Sequence, residues 1–455
     1  MLSGFPLIIF FVIMIVVMVL SIAKFKLHPF LAIMGTALLL ALGALPLKDI
    51  PGSIGSGFAG TFSSLGIVII LGAMIGTILE KTGAALTMAD TVVRVVGKKH
   101  PDLAMLLMGW IVSIPVFCDS GYVMLTPIRK ALNRRTGFPA TTLVIALSVG
   151  LYTSHVFIPP TPGPIAAAQF VGLEHNMLTV ILAGVGVSIP VLIAGWLFAR
   201  YIGKRVSAAG EEDNAVSYEE LKASYGRLPG VTASFAPILL PILLMAVKSI
   251  VDMAKFTGFF AELLQFLGTP IIALTAGLLV SIVTLYTAGK GDTFYDVVND
   301  TLKTVGPILF VTAGGGVLGG IIAKAGIVPY LLELAPGLTG FGIIFPFLIA
   351  AALKTAQGSS TVAITSTAAL LGVYSAEGTL MAALGLTSPL SAALTVMAVG
   401  AGALTVSHAN DSYFWVVTNF GGLTPQDGYR THTLCTLVMG VTGILAIWAC
   451  HLLFG

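Results

Sequence analysis

The sequence predicts an all-α polytopic membrane protein built from two inverted repeats, each with a re-entrant helical hairpin and a broken transmembrane helix. Three observations predict it. The 455 residues are 56% hydrophobic and only 9% charged, with mean hydropathy +1.00, whereas soluble domains carry roughly 25% charged residues. The apolar runs are continuous, several approaching the ~20 residues that cross a hydrocarbon core as a helix, and this excludes the alternating pattern of a transmembrane β-barrel. Three motifs of the first half also recur, in the same order, in the second.

The balance of charge narrows the partners. A net charge of +3 is too small to argue for nucleic acid, so membrane lipid is the expected surroundings and a small solute the expected ligand. Cys118, Cys435 and Cys450 sit in apolar settings and read as thiols buried in helices, not as a disulfide framework.

Taken in order, residues 5–22 form a first span that ends at Lys24 and Lys26. Those lysines place its end in the cytoplasm and the N-terminus outside. It carries no cleavage site and is read as retained. A span at 29–45, a Pro/Gly/Ser-rich loop at 46–60 and a span at 62–79 follow. The next segment is basic, with Lys81, Arg94, Lys98 and Lys99. Residues 103–128 are too few for two crossings, which need ~40 residues, and both flanks are basic. A hairpin open to the cytoplasm fits, its tip near Pro115 to Gly121.

The segment at 141–171 is interrupted by Pro159, Pro160, Pro162 and Pro164, which cannot continue a helix, so this span is broken in its middle. An inward span at 178–199 ends at Arg200, Lys204 and Arg205. Residues 203–230 form the clearly hydrophilic stretch and read as a cytoplasmic linker, with a short helix around 218–224, between a first repeat of 1–202 and a second of 231–455.

The second half repeats the first. Gly72, Gly76, Ile78, Lys81 and Gly83 align without a gap with Gly315, Gly319, Ile321, Lys324 and Gly326. The stretch from Asp119 to Thr126 aligns with that from Gly358 to Thr365, and Ser154-His155 has a counterpart in Ser407-His408. An odd number of crossings per half, with a cytoplasmic linker, forces the halves into opposite orientations. The second half then has spans at 235–250, 259–286 and 305–323, a hairpin at 341–373 open to the outside, a broken span at 386–420 and a last span at 434–453. Ten crossings and two hairpins leave both termini outside. Inverted repeats with broken helices meeting at mid-membrane are a secondary-transporter architecture.

The polar residues inside these apolar runs carry the candidate chemistry. Lys354, Gln357, Gly358, Ser359, Ser360 and Thr361 interrupt the second hairpin. Polar groups there are retained only around a cavity or a solute, and an N–H-rich helix start beside a lysine suits an anion such as a carboxylate. Asp119, with Ser120 and Gly121, lies at the first tip. A carboxylate stripped of water favours its neutral form and can take up and release a proton, or it can cap the half-helix. His155, beside Ser154, and His408 can bind solute or relay protons. Ser407, His408, Asn410 and Asp411 crowd one stretch where unpaired polarity is expensive, and Asp411 joins Asp119 and His155 as a candidate for proton coupling. Thr161 stands between the prolines. Gly314 to Gly319 satisfies G-x-G-x-x-G, but with no strand before it and no acidic partner after it reads as helix packing. No H-E-x-x-H, G-x-S-x-G or P-loop argues for an enzyme, and no cofactor or metal site is expected.

At these residues the chain resembles the gluconate:proton symporter, or gluconate permease, family, within a wider ion-transporter group of elevator-type carriers. The resemblance spans essentially the whole length. It is carried by Ala356 to Ser359 with Thr361-Val362, by Ser407 to Ser412 with Phe414-Trp415, by Pro159-Pro160 with Pro162 to Pro164, and by Gly121 with Val123. It implies uptake of a sugar acid or small hydroxy monocarboxylate with protons across a bacterial inner membrane, by a homodimer. The chain departs from the family pattern where Asp119 replaces Glu, Thr161 replaces His and Lys354 replaces Arg; the last keeps charge but loses the bidentate fork. Sodium coupling, or an amino-acid solute resembling D-serine, remains the alternative within transport.

Overall fold

The computed structural model describes residues 2–23, 25, 27–96, 100–208, 218–253, 256–326, 342–408 and 411–454. Among them the regular elements are helices, with no strand. Seven segments are long and apolar enough to cross a bilayer, and one of these, Ala140–Phe170, is buried inside the protein along its whole apolar window. A chain in lipid must pair its backbone polar groups internally, which helices do within themselves. Lys24, Lys26, Lys98 and Lys99, used above to orient the spans, lie outside the described residues, as does the start of the segment at 341–373.

Two long helices, Ile50–Thr82 and Phe294–Lys324, pack against each other along their length. Glycine lets them approach: a Cβ on Gly57 would lie 2.8 Å from the Val317 Cα, and one on Gly316 would collide with the Thr61 hydroxyl. That contact corrects the expected loop at 46–60. Pro51 occupies the first turn, where its missing N–H is harmless, and Gly57 packs on the Val317 backbone, whereas Gly52, Gly55 and Gly60 are helical with open space beside them. Each long helix follows a 3-10 turn, Leu47–Asp49 or Gly291–Thr293. The two aligned glycines just beyond them, Gly83 and Gly326, are left-handed at φ +75° and +71°.

A second correction falls at 259–286. The chain forms two helices there, Phe259–Leu267 and Pro270–Thr287. Gly268 lies so close to the Leu244 carbonyl and Lys248 that no side chain fits, and Pro270 opens the next helix.

Pro101–Val112 and Cys118–Thr136 are joined by a tight turn, as are Ile344–Gln357 and Ser360–Leu371. Two further pairs are interrupted by irregular backbone: Ala140–Phe157 with Pro162–Phe170, and Pro389–Leu404 with Ser412–Phe420. The leading arm of each turn packs on the long arm of the neighbouring broken helix across a glycine. Gly150 faces the Leu106 carbonyl, and Gly402 faces the Phe347 carbonyl. The trailing arms cross over. Ser360–Leu371 packs on Pro162–Phe170, with Ile364 3.0 Å from where a Gly163 Cβ would stand. Cys118–Thr136 packs on Ser412–Phe420, where the buried Arg129 guanidinium donates to the Phe420 carbonyl at 3.1 Å.

The helix Tyr218–Tyr225 forms as expected. The chain after it is not a free connector: Tyr225 and Leu228 cover Gly83, and the Thr87 hydroxyl donates to the Pro229 carbonyl at 2.9 Å.

Candidate functional site

The second hairpin tip is shaped by its glycine. Gly358 ends the leading arm at φ +85°, a conformation open to glycine at little cost. Ser359 then turns extended, and its hydroxyl accepts from the Val362 N–H at 3.3 Å, capping Ser360–Leu371. Lys354, one turn before the tip, is fully buried. Its ammonium donates to the Gly358 carbonyl and to Asp411 Oδ2, each at 2.5 Å. The sequence reads Lys354 as partner of a bound anion; the structure pairs its ammonium with Asp411. A buried lysine without a counter-charge is untenable, and Asp411 supplies it.

Asp411 begins Ser412–Phe420. Its Oδ1 accepts the Tyr413 N–H at 3.0 Å, so the carboxylate caps that helix. Its Oδ2 also accepts the Ser407 hydroxyl at 2.5 Å and the Tyr152 phenol at 3.4 Å. Asn410 lies outside the described residues. His408 is partly exposed, with Nε2 3.1 Å from the Thr355 carbonyl, which ties it to the second hairpin away from the cavity lining.

At the first tip Phe117 occupies the cap position and supplies no side-chain acceptor. Asp119 sits in the first turn of Cys118–Thr136, two residues after the cap position. The Cys118 thiol reaches its Oδ2 at 3.6 Å, while Oδ1 is buried without a hydrogen-bond partner among the described residues. Among the described residues no basic side chain is paired with it. Gly121 packs against Leu151, and the side chains of Ser120 and Gln357 are not among the features described.

The first broken helix presents Tyr152 and His155, both buried. His155 Nδ1 has no hydrogen-bond partner among the described residues. His155 and His408 do not occupy equivalent places: His155 is in the last turn of Ala140–Phe157, His408 in the irregular stretch after Leu404. Ser154 bonds back to the Gly150 and Leu151 carbonyls at 3.5 and 3.4 Å, and Thr161 to the Ile158 carbonyl at 2.7 Å. Neither reaches the lining.

These pieces enclose one cavity of about 420 Å³, the size of a small-molecule site. Phe117 to Asp119 close one side and Gly358 to Thr361 another, with Tyr152, His155 and Asp411 to Tyr413 completing the wall. Thr304 and Ile308, from the long helix Phe294–Lys324, face them. Three helices, beginning at Cys118, Ser360 and Ser412, start at this cavity. Their N-terminal N–H groups and dipoles favour negative charge there. Of the expected site residues, Asp119, His155, Gly358, Ser359, Ser360, Thr361 and Asp411 line it, and Lys354 and Ser407 stand behind Asp411. Tyr152, Tyr413, Thr304 and Ile308 escaped the sequence because aromatic, apolar and lone hydroxyl residues in apolar runs read as packing.

Comparison with known proteins decides the family. The family model described as GntP family permease matches residues 6–453. The chain belongs to the GntP family. It is 32% identical to the inner membrane permease YgbN of Escherichia coli, over 95% of this chain and 96% of that one. It is also 32% identical to a gluconate permease of Bacillus subtilis, covering 92% and 93%. The fold resembles the solved YdaH transporter of Alcanivorax borkumensis, with TM-score 0.62 at 18% identity, covering 93% and 97%. As a GntP family permease the chain is a multi-pass membrane transport protein, not an enzyme.

Proposed function

We propose that this chain carries gluconate, or a related sugar acid or small hydroxy monocarboxylate, into a bacterium together with protons. The solute class rests on the GntP family and on relatives named gluconate permeases. Proton coupling rests on one observation about charge. Lys354 is neutralised by Asp411, so the cavity keeps one carboxylate, Asp119, that is paired with no cation among the described residues. A solute anion entering beside an ionised Asp119 would meet like charge in a poorly hydrated space. Protonated Asp119 removes that charge and offers a donor to the solute, while the three helix starts complement the anion. Solute and proton then load together. His155, with an unpaired ring nitrogen on the cavity wall, contributes a further solute contact.

We read the architecture as two inverted repeats, 1–202 and 231–455, joined by a cytoplasmic linker at 203–230, with both termini outside the inner membrane. The matched long helices with their glycine ends, and the crossed packing of the trailing arms, support this reading. The cavity lies between elements of the two hairpins and broken helices and one long helix. Movement of the former past the latter would expose it to alternate sides, as in an elevator. The assembly is taken as a homodimer, with no cofactor beyond the coupling proton.

Uptake of radiolabelled gluconate into proteoliposomes, driven separately by a proton and by a sodium gradient, tests this. Accumulation under an inward proton gradient alone is the expected result. Accumulation under sodium alone overturns proton coupling, and preference for a D-serine-like amino acid overturns the solute class.

A further inference from the structure

A buried polar chain runs behind the cavity wall, away from the solute. His432 lies in a π-helical turn, Tyr429–Thr433, that leads into the last helix. Such turns displace backbone groups from the regular ladder and are frequent at functional sites. The imidazole is 1% exposed and is packed among the rings of Tyr152, Tyr413 and Phe414, with centroids at 6.3, 5.4 and 6.3 Å. Both its nitrogens are engaged: Nε2 is 2.9 Å from Ser407 Oγ and Nδ1 is 3.0 Å from Ser148 Oγ.

Counting donors orients the chain. Ser407 has one hydroxyl hydrogen and gives it to Asp411 Oδ2. Towards His432 the same oxygen can only accept, so Nε2 carries the ring hydrogen. In a neutral ring Nδ1 is then the acceptor, and Ser148 donates to it. Serines inside helices usually bond back to a carbonyl of their own helix, as Ser188 does to Gly184 at 2.6 Å. Ser148 instead reaches across to His432. Donation therefore runs Ser148 to His432 to Ser407 to Asp411. With Lys354 Nζ, the Tyr152 hydroxyl and the Tyr413 N–H also donating, every contact on Asp411 is a donor.

We propose that His432 is a positioning residue that, as the neutral Nε2–H tautomer, turns the Ser407 hydroxyl onto Asp411 and so holds that carboxylate ionised and paired with Lys354. This rests on the reading above, in which Asp411 forms part of the solute site. It separates the two carboxylates: Asp411 is a fixed anion, and Asp119 alone is free to exchange the proton. His432 never touches the solute. It acts through Ser407, and its effect reaches the cavity as the fixed position of the Asp411 carboxylate and the helix start that it caps.

Two measurements test this. The first is long-range ¹H–¹⁵N spectroscopy of the full-length protein in detergent or nanodiscs, histidine-labelled and assigned through His432→Gln. The Nε2–H tautomer is expected near neutral pH, and the Nδ1–H tautomer or an imidazolium overturns the proposal. The second is proton-driven gluconate uptake by His432→Gln, His432→Asn and His432→Phe. A glutamine amide reaches the place of Nε2, whereas an asparagine amide reaches only that of Nδ1. Gln should retain the wild-type KM, while Asn and Phe raise it by about tenfold, the scale of one lost hydrogen bond onto a charged network. Asn equal to Gln, or Phe the best tolerated, would mean that the residue only fills space. If the wild-type protein moves no gluconate, the transport reading fails, and the tautomer measurement still decides the role of His432.

Discussion

Lys354 and Asp411, 57 positions apart, meet at 2.5 Å with the lysine side chain fully buried, and join the tip of the second hairpin to the start of the half-helix after the second break. Removing either partner leaves the other charge buried and uncompensated, which costs about 3–5 kcal/mol. Lys354→Met and Asp411→Asn should each lower the unfolding temperature sharply. The double variant should recover much of the loss. A double-mutant cycle by thermal unfolding measures this coupling, and additive losses would contradict it.

Asp119 is the cavity carboxylate that pairs with no cation among the described residues. Asp119→Asn fixes the neutral form and should abolish accumulation under a proton gradient while keeping solute-dependent thermal stabilisation. Uphill uptake at the wild-type level in this variant would remove Asp119 from the coupling step.

His155 holds a buried ring nitrogen with no partner among the described residues. A buried polar group left unpaired costs roughly 1–3 kcal/mol. His155→Phe should therefore leave the solute-free protein as stable as wild type, or more so, while eliminating the thermal shift given by gluconate. A large loss of stability without solute would show that the ring is structural.

Close helix packing predicts a contrast among glycines. At Gly57 and Gly319 an added Cβ would run into the Val317 backbone and the Ala369 carbonyl, whereas at Gly60 and Gly320 nothing lies within 4 Å. Alanine at the first two should cost about 1–3 kcal/mol through overpacking. At the second two it should be neutral or slightly stabilising in a helix interior. Fluorescence-detected size-exclusion after graded heating would rank the four variants.

Much of the helix plan was legible because lipid and proline act locally. A run of apolar side chains declares a buried or lipid-facing helix, and Pro159 to Pro164 declares its interruption, whatever else the chain does. The expected hairpin tips at 115–121 and around 358 lie on one cavity, since polar residues stranded in apolar runs have few other places to go. What misled was also local. The glycines of 52–60 looked like a loop, yet they belong to the helix Ile50–Thr82, which packs through Gly57 on the backbone at Gly316 and Val317. For Lys354, nothing nearby in sequence could show that Asp411 lies against its ammonium.

By itself the sequence determined that this protein lives in a membrane, where its helices break and which residues are too polar for lipid, because each follows from the chemistry of a short stretch. Only the tertiary structure decided which of those polar groups neutralise one another and which line the cavity. That choice depends on contacts between distant segments: Lys354 with Asp411, and His432 with Ser148 and Ser407, while Asp119 pairs with no cation among the described residues.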